Sequence, residues 1–184
     1  MKDTKEKFST QTIALHWIIG VGMIAMIALG TYMAAVPYVS VLYSTHKSIG
    51  VLLLIVILGR IWWRMVNGWP QPVREFPRAQ LIIARISHWT LIVGTALMPI
   101  SGIGSSGFGG YGVAVFGVQL IPSNFGADGK AIAFNEGLAH FSHSLHYYAG
   151  NVLIAVIVLH LAAALKHHFF DKDNVLRRML SLRG

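Results

Sequence analysis

The sequence predicts an all-α fold, a bundle of four transmembrane helices with both termini in the cytoplasm. Three observations carry that expectation. The chain is 54% hydrophobic and only 12% charged over 184 residues, whereas soluble domains carry roughly a quarter charged residues. It therefore lacks the polar surface to cover itself in water. Four apolar stretches reach the roughly 20 residues that a bilayer crossing requires. Lysine and arginine fall almost entirely on one side of those stretches. Residues 1–184 are expected to form a single membrane unit.

The first stretch covers about 13–36 and is broken at Pro37. It is too long for the apolar core of a signal peptide, which runs about 7–15 residues, and it holds His16 and Trp17, so it is read as a span. The second covers about 46–66, with Arg60 and Arg64 at an end from which their stems can snorkel. The third covers about 82–104, with Pro99 expected to kink it. The fourth covers about 145–167 and ends at Lys166, His167 and His168. Between spans two and three lies a polar link with Pro70, Pro72 and Pro77. Ser105 to Asn135 reads as a Gly-rich loop, whose apolar patch "VAVFGVQLIP" is too short to span and is expected at the interface. No internal repeat stands out.

The cations orient the bundle. Lys2, Lys5 and Lys7 precede span one; Arg60, Arg64, Arg74, Arg78 and Arg85 surround the link between spans two and three; Lys166, Lys172, Arg177, Arg178 and Arg183 follow span four. The other two connections hold only Lys47 and Lys130. This bias places both termini in the cytoplasm. It also accounts for the net charge of +8 and the pI near 10.1 through cations bordering the membrane, without nucleic acid. The lipid bilayer is the partner they imply. With no cysteine there can be no disulfide, thiolate metal site, iron–sulfur cluster or covalently attached haem.

Nine histidines are many for this length, and ionisable groups inside a membrane are costly and usually functional. His146 and His160 lie on one face of span four, because fourteen residues make four turns less about 40°, and they stand about 21 Å apart along the axis. Orientation matches His16 in depth with His160 near the inner face, and His46 with His146 near the outer face. Two bis-histidine haem sites follow. A flat porphyrin also needs a small residue one turn from each ligand, and Gly20, Gly50, Gly150 and Ala164 stand four positions after the four histidines. After His88 the equivalent is Ile92, which argues against His88 as a ligand.

A lone membrane histidine is more often an interhelical hydrogen-bonder, but that alternative predicts neither matched depths nor the small residues. His140, His143 and His146 recur at three-residue intervals and could hold a surface metal; a solvated, partly helical approach to the membrane is the preferred reading. His167, on the stripe of His160, is either part of a quinone pocket or a basic helix end. Trp17, Trp62, Trp63 and Trp89 look like interface anchors.

"ALHW" at Ala14 to Trp17, "HKSIGVLLL" at His46 to Leu54 followed by "GRIWWR", "GVAVFGVQLIP", and "LHLAAALKHHFFDKDNVLRRM" at Leu159 to Met179 resemble the prokaryotic cytochrome b561 family over nearly the whole chain. The resemblance implies a four-helix membrane bundle with two b-type haems on His16, His46, His146 and His160. It also implies a multi-pass protein of the bacterial inner membrane that exchanges electrons with ubiquinone, for some members with superoxide as outer donor. Arg60, Arg64 or Lys47 could pair with haem propionates, and Lys47 could attract an anion or be a plain surface lysine. A haem-bearing anchor for a partner dehydrogenase or hydrogenase, or a carrier serving a periplasmic redox protein, is the alternative. A histidine-lined metal or proton transporter is more remote, since all seven Asp and Glu lie outside the expected spans.

Overall fold

Each apolar stretch becomes one long helix, because a backbone in hydrocarbon must satisfy its own hydrogen bonds. The computed structural model describes residues 3–4, 7–68 and 75–180; Lys2, Lys5, Pro70, Pro72, Arg74 and Arg183 lie outside the described residues. The helices are α1 (Thr10–Ala35), α2 (Ser40–Asn67), α3 (Arg78–Phe108) and α4 (Glu136–Phe169), followed by the short α5 (Val175–Met179). The first four are all long and apolar enough to cross a membrane. Even α1, with 26 residues, extends about 39 Å against a hydrocarbon core of about 30 Å.

Every helix overruns the stretch that announces it, α4 most of all. It starts at Glu136, so His140 and His143 sit on regular helix rather than on a partly helical approach. Hydropathy marks only the hydrocarbon layer, whereas backbone hydrogen bonding carries the helix outward until a cap stops it. Ser9 caps α1 by accepting from the Thr12 amide, and Asn135 caps α4 by accepting from the Leu138 amide at 2.9 Å. Gly68, at φ 76°, ends α2 with its amide on the Arg64 carbonyl. Pro99 stays inside α3.

The all-α expectation misses one small element. Part of the apolar patch after α3 folds into an antiparallel hairpin, β1 (Val113–Val115) with β2 (Val118–Ile121). Phe116 and Gly117 turn it at φ 45° and 92°, the two positive values that a tight right-twisting hairpin turn requires. The hairpin is fastened to α2: the Ser48 hydroxyl accepts from the Phe116 amide at 3.0 Å, and the Lys47 ammonium donates to the Gly112 carbonyl at 3.0 Å.

α3 packs along α4 in the most extensive contact, α1 packs on α2, and α2 on α3. Among the described residues, α4 makes no comparable contact with α1 or α2 and stands off from both. Between the two ends of the bundle the middle is closed by Ile19, Met23, Met26, Leu53, Ile57 and Leu153.

That packing reveals an internal repeat, contrary to the sequence reading. His16-Trp17, Gly22, Met26 and Gly30 of α1 recur at one constant offset as His88-Trp89, Gly94, Met98 and Gly102 of α3. His46, Gly50, Leu53 and Val56-Ile57 of α2 recur at another as His146, Gly150, Leu153 and Val156-Ile157 of α4. The contacts repeat with the residues. A Cβ on Gly22 would lie 2.7 Å from Leu53 Cδ2, and one on Gly94 would lie 2.8 Å from Leu153 Cδ2. Gly50 meets the Met26 methyl as Gly150 meets that of Met98, and Gly30 faces the His46 ring as Gly102 faces that of His146. The α1–α2 and α3–α4 hairpins are two versions of one unit.

Gly94→Ala should therefore drive a methyl into Leu153, which is fully buried. Overpacking of this kind costs about 1–3 kcal/mol and should lower the unfolding temperature in detergent. Gly59, with nothing within 4 Å, should accept Ala without loss, and equal melting of the two variants would contradict the close approach.

Candidate cofactor site

α4 supplies one imidazole at each end of the bundle. Near the hairpin, His146 faces His46 of α2 with ring centres 6.2 Å apart. Near the termini, His160 faces His16 of α1, also with ring centres 6.2 Å apart. A metal–imidazole nitrogen bond of about 2.0–2.1 Å, with the ring centre roughly 1.1 Å behind the nitrogen, puts two imidazoles on opposite sides of one ion about 6.2–6.4 Å centre to centre. Both pairs suit that arrangement. Both also bridge the interfaces where α4 stands off from its neighbours, which is where a flat group needs room. Beside His46 and His146 a small open pocket is lined by Met26, Gly50, Met98 and Pro99. These residues fit a haem.

The rings are held differently. His146 Nδ1 lies 2.8 Å from the Met98 carbonyl and 3.2 Å from the Ser101 hydroxyl. A carbonyl only accepts, so Nδ1 carries the proton and Nε2 keeps its lone pair free for a metal. His46 Nδ1 is buried without a hydrogen-bond partner. His16 Nδ1 lies 3.5 Å from the Arg60 guanidinium, and its ring meets Trp17 edge-on. A Cβ on Gly102 would lie 3.3 Å from His146 Cε1, and one on Gly30 would lie 3.5 Å from His46 Cε1. Sequence reasoning missed Ser101, Gly30 and Gly102, because they lie on neighbouring helices at no fixed spacing from the histidines they touch. The repeat was the signal that could have found the two glycines.

His88 joins the cluster at the terminal end, its ring centre 5.9 Å from that of His160. Ring distance alone does not separate it from His16. Along their whole length α3 packs on α4 far more extensively than α1 does.

The remaining candidates divide. Gly20 faces open space, and Gly50 and Gly150 meet only methionine tips; Ala164 is half-buried. Arg60 sits beside the His16 pair, but Arg64 is engaged elsewhere, with Asp3 at 3.2 Å and the Gly68 carbonyl at 2.8 Å. Lys47 is tied to the hairpin rather than loose on the surface. His167 Nδ1 is held by Asp173 at 2.8 Å and Asp171 at 3.0 Å, with Gln80 at its other nitrogen. The ligand atoms of His167, Asp171 and Asp173 lie within 4.8 Å of one another, though Lys166 already salt-bridges Asp171 at 2.8 Å. Among the described residues, His140, His143 and His146 do not gather as a metal group. Two expected interface anchors also hydrogen-bond within the protein: the Trp17 indole donates to the Met179 carbonyl and the Trp63 indole to the Thr12 hydroxyl, both at 2.9 Å.

Four membrane-crossing helices around matched imidazole pairs, in a chain without cysteine, define a membrane cytochrome of the b type. Residues 7–182 match the family described as prokaryotic cytochrome b561, and the chain belongs to that family. It is 31% identical to cytochrome b561 homolog 2 of Escherichia coli (strain K12), covering 97% of this chain and 93% of that one. It is 28% identical to the probable superoxide oxidase CybB of Yersinia pestis, over 95% of this chain and 96% of that protein. Cytochrome b561 homolog 1 of Escherichia coli (strain K12) is 24% identical over 96% of this chain and 98% of its own. The chain is thus a multi-pass bacterial membrane protein that binds b-type haem and carries electrons.

The terminal end is closed by a polar knot around Asp3. Its carboxylate accepts from the Ser9 amide and hydroxyl, both at 2.8 Å, from the Thr12 hydroxyl at 2.9 Å and from Arg64. Burial opposes ionisation here, but these hydrogen bonds and the Arg64 charge outweigh it and hold the carboxyl below its ordinary value of 3.8. A lowered folded value means the stabilisation is complete above the ordinary value and is lost as pH falls through the folded one. Asp3→Asn should therefore melt lower than wild type at pH 7, with the difference shrinking as pH falls below the ordinary value of 3.8. A difference that stays constant on acidification would assign it to packing rather than charge.

Proposed function

We propose that the chain moves single electrons across the bilayer between a donor at the outer face and the ubiquinone pool. In this reading two b-type haems are held by His46 with His146 and by His16 with His160. The observation that carries it is the equal 6.2 Å spacing of two imidazole pairs at opposite ends of α4. The cation bias supports a bacterial inner (cytoplasmic) membrane with both termini inside. The hairpin end, with His46 and His146, is then outer, and the terminal end inner.

When bound, such haems would supply one-electron exchange. The chain's own groups do the rest. His46 with His146 and His16 with His160 would hold the haem irons, while Gly20, Gly50, Gly150 and Ala164 would leave room for flat faces. Arg60 places a positive charge beside the inner pair, where it can neutralise a propionate. Lys47, fixed by Gly112 next to His46, holds a positive charge at the outer pair and favours an anionic donor such as superoxide. His167, steadied by Asp171 and Asp173, offers a polar partner for a quinone headgroup at the cytoplasmic end. Superoxide as donor is also supported by the name of the Yersinia relative. The exposed hairpin tip, with Phe116 and Val118 each about two-thirds exposed, favours a second reading in which a periplasmic redox protein or partner dehydrogenase docks there.

His160→Ala should remove one haem per chain and leave the other, while His88→Ala should keep both, read from reduced-minus-oxidised spectra with haem counted per chain. Retention of both haems in His160→Ala refutes the assignment. A superoxide pulse should reduce the oxidised protein, more slowly as ionic strength rises, because exposed charges are screened beyond about 10 Å at 0.1 M salt. If reduction is no faster than in controls while a protein donor works readily, the docking reading replaces the superoxide one.

A further inference from the structure

We propose that the two outer ligands are unequal: His146 is the anchored, electron-rich ligand, His46 is the exchangeable one, and Ser101 is the positioning residue that makes the difference. This rests on reading His46 and His146 as a haem pair. The internal repeat supplies the control. His46 and His146 are equivalent in sequence, each faces a glycine of the preceding helix, and each is followed by a glycine that receives a methionine tip. With so much held constant, what differs between them stands out.

The difference is at Nδ1. His146 donates from Nδ1 to the Met98 carbonyl at 2.8 Å and towards the Ser101 oxygen at 3.2 Å. Ser101 is 2% exposed, and its own hydroxyl proton goes to the Leu97 carbonyl at 2.6 Å, which turns a lone pair towards the imidazole. The position equivalent to Ser101 in the first hairpin is Leu29, which has no acceptor. The carbonyl equivalent to that of Met98, on Met26, makes no hydrogen bond to His46 either, and His46 Nδ1 is buried and unpartnered.

An acceptor on the far nitrogen fixes the tautomer and orientation of a ligating imidazole and raises its basicity. A more basic ligand favours the oxidised iron and makes the site harder to reduce. A buried N–H with no acceptor gives its ring neither benefit and leaves a desolvated group uncompensated. Iron should therefore stay with His146 when His46 is removed, but not the reverse.

The test uses the full-length protein in detergent, with the inner haem as the folding control in each variant. His46→Ala should keep both haems, the outer one turned high-spin, and added imidazole should restore its low-spin spectrum. His146→Ala should lose the outer haem and keep the inner. Ser101→Ala should keep both haems and move the outer reduction equilibrium towards the reduced form by up to tenfold, an upward shift of up to about 59 mV for one electron. Ser101→Thr, which retains the hydroxyl, should stay near wild type. Equal loss of the outer haem in the two histidine variants, or an unchanged outer potential in Ser101→Ala, overturns the inequality. Two low-spin haems in both histidine variants would instead overturn the ligand assignment beneath it. Should both histidine variants lose the inner haem as well, the potential in Ser101→Ala decides alone.

Discussion

An imidazole sunk among hydrocarbon chains has two nitrogens and no water to serve either, so each nitrogen needs a partner within the protein. Much of the bundle's geometry answers that constraint. α4 carries His146 and His160 on one face, and the helices that would otherwise pack on that face stand off from it. Glycines face the rings at positions 30 and 102, and at 102 a Cβ would come tightly against His146, 3.3 Å from Cε1. Where a ring nitrogen is satisfied from within, as at His146, the acceptors are a helix carbonyl and a serine that has already spent its own proton.

The two helical hairpins share one plan and use it differently at the two ends. Near the β-hairpin, equivalent residues face each other, so His46 and His146 form a pair that the repeat itself makes symmetric. Near the termini the symmetry is broken. His88 is the counterpart of His16, and Arg60 is the counterpart of His160. The full pattern would set a second histidine pair between α2 and α3, but those helices are packed together and position 60 carries a guanidinium. His16 of α1 and His160 of α4 remain as the facing pair, and Arg60 and His88 flank it. The same departure from the repeat that sets an arginine where a histidine would stand thus delivers a positive charge beside His16.

Four spans and four principal histidines were legible in the sequence because both signals are local. Apolar length marks a crossing, and the fourteen residues from His146 to His160 set a helical phase. The helix ends were not legible, since hydropathy stops at the hydrocarbon border while Ser9, Gly68 and Asn135 decide where the backbone turns. The β-hairpin was hidden because a short apolar patch in a membrane protein reads as interfacial, and only its fastening to Lys47 and Ser48 makes it structure. The repeat escaped because the two helices recur at different offsets, the intervening connections being unequal. A search for one period across the chain cannot see it, while the paired glycine–leucine contacts show it directly. The partners of Arg64 and Trp17, Asp3 and the Met179 carbonyl, were not legible, because charge and aromaticity leave the neighbour to long-range folding.

A bundle that keeps gaps between α4 and both α1 and α2 must be joined by other means, and the molecule does so at three levels. In the middle, Leu53 and Leu153 reach into Gly22 and Gly94 and meet in one buried cluster. At the end bearing the β-hairpin, the connection from α3 to α4 folds back and fastens to α2 through Lys47 and Ser48, beside His46. At the other end, the segment following α4 returns to α1. The Met179 carbonyl accepts from Trp17, next to His16, and Arg178 stacks on Phe8 at 4.1 Å while donating to the Thr4 carbonyl. The two end clamps thus land beside the histidines of α1 and α2, Trp17 next to His16 and Lys47 and Ser48 within two residues of His46. Clamps so placed set the width of the slots without filling them, which lets α1 and α2 each present an imidazole across a gap that direct helix packing would have closed.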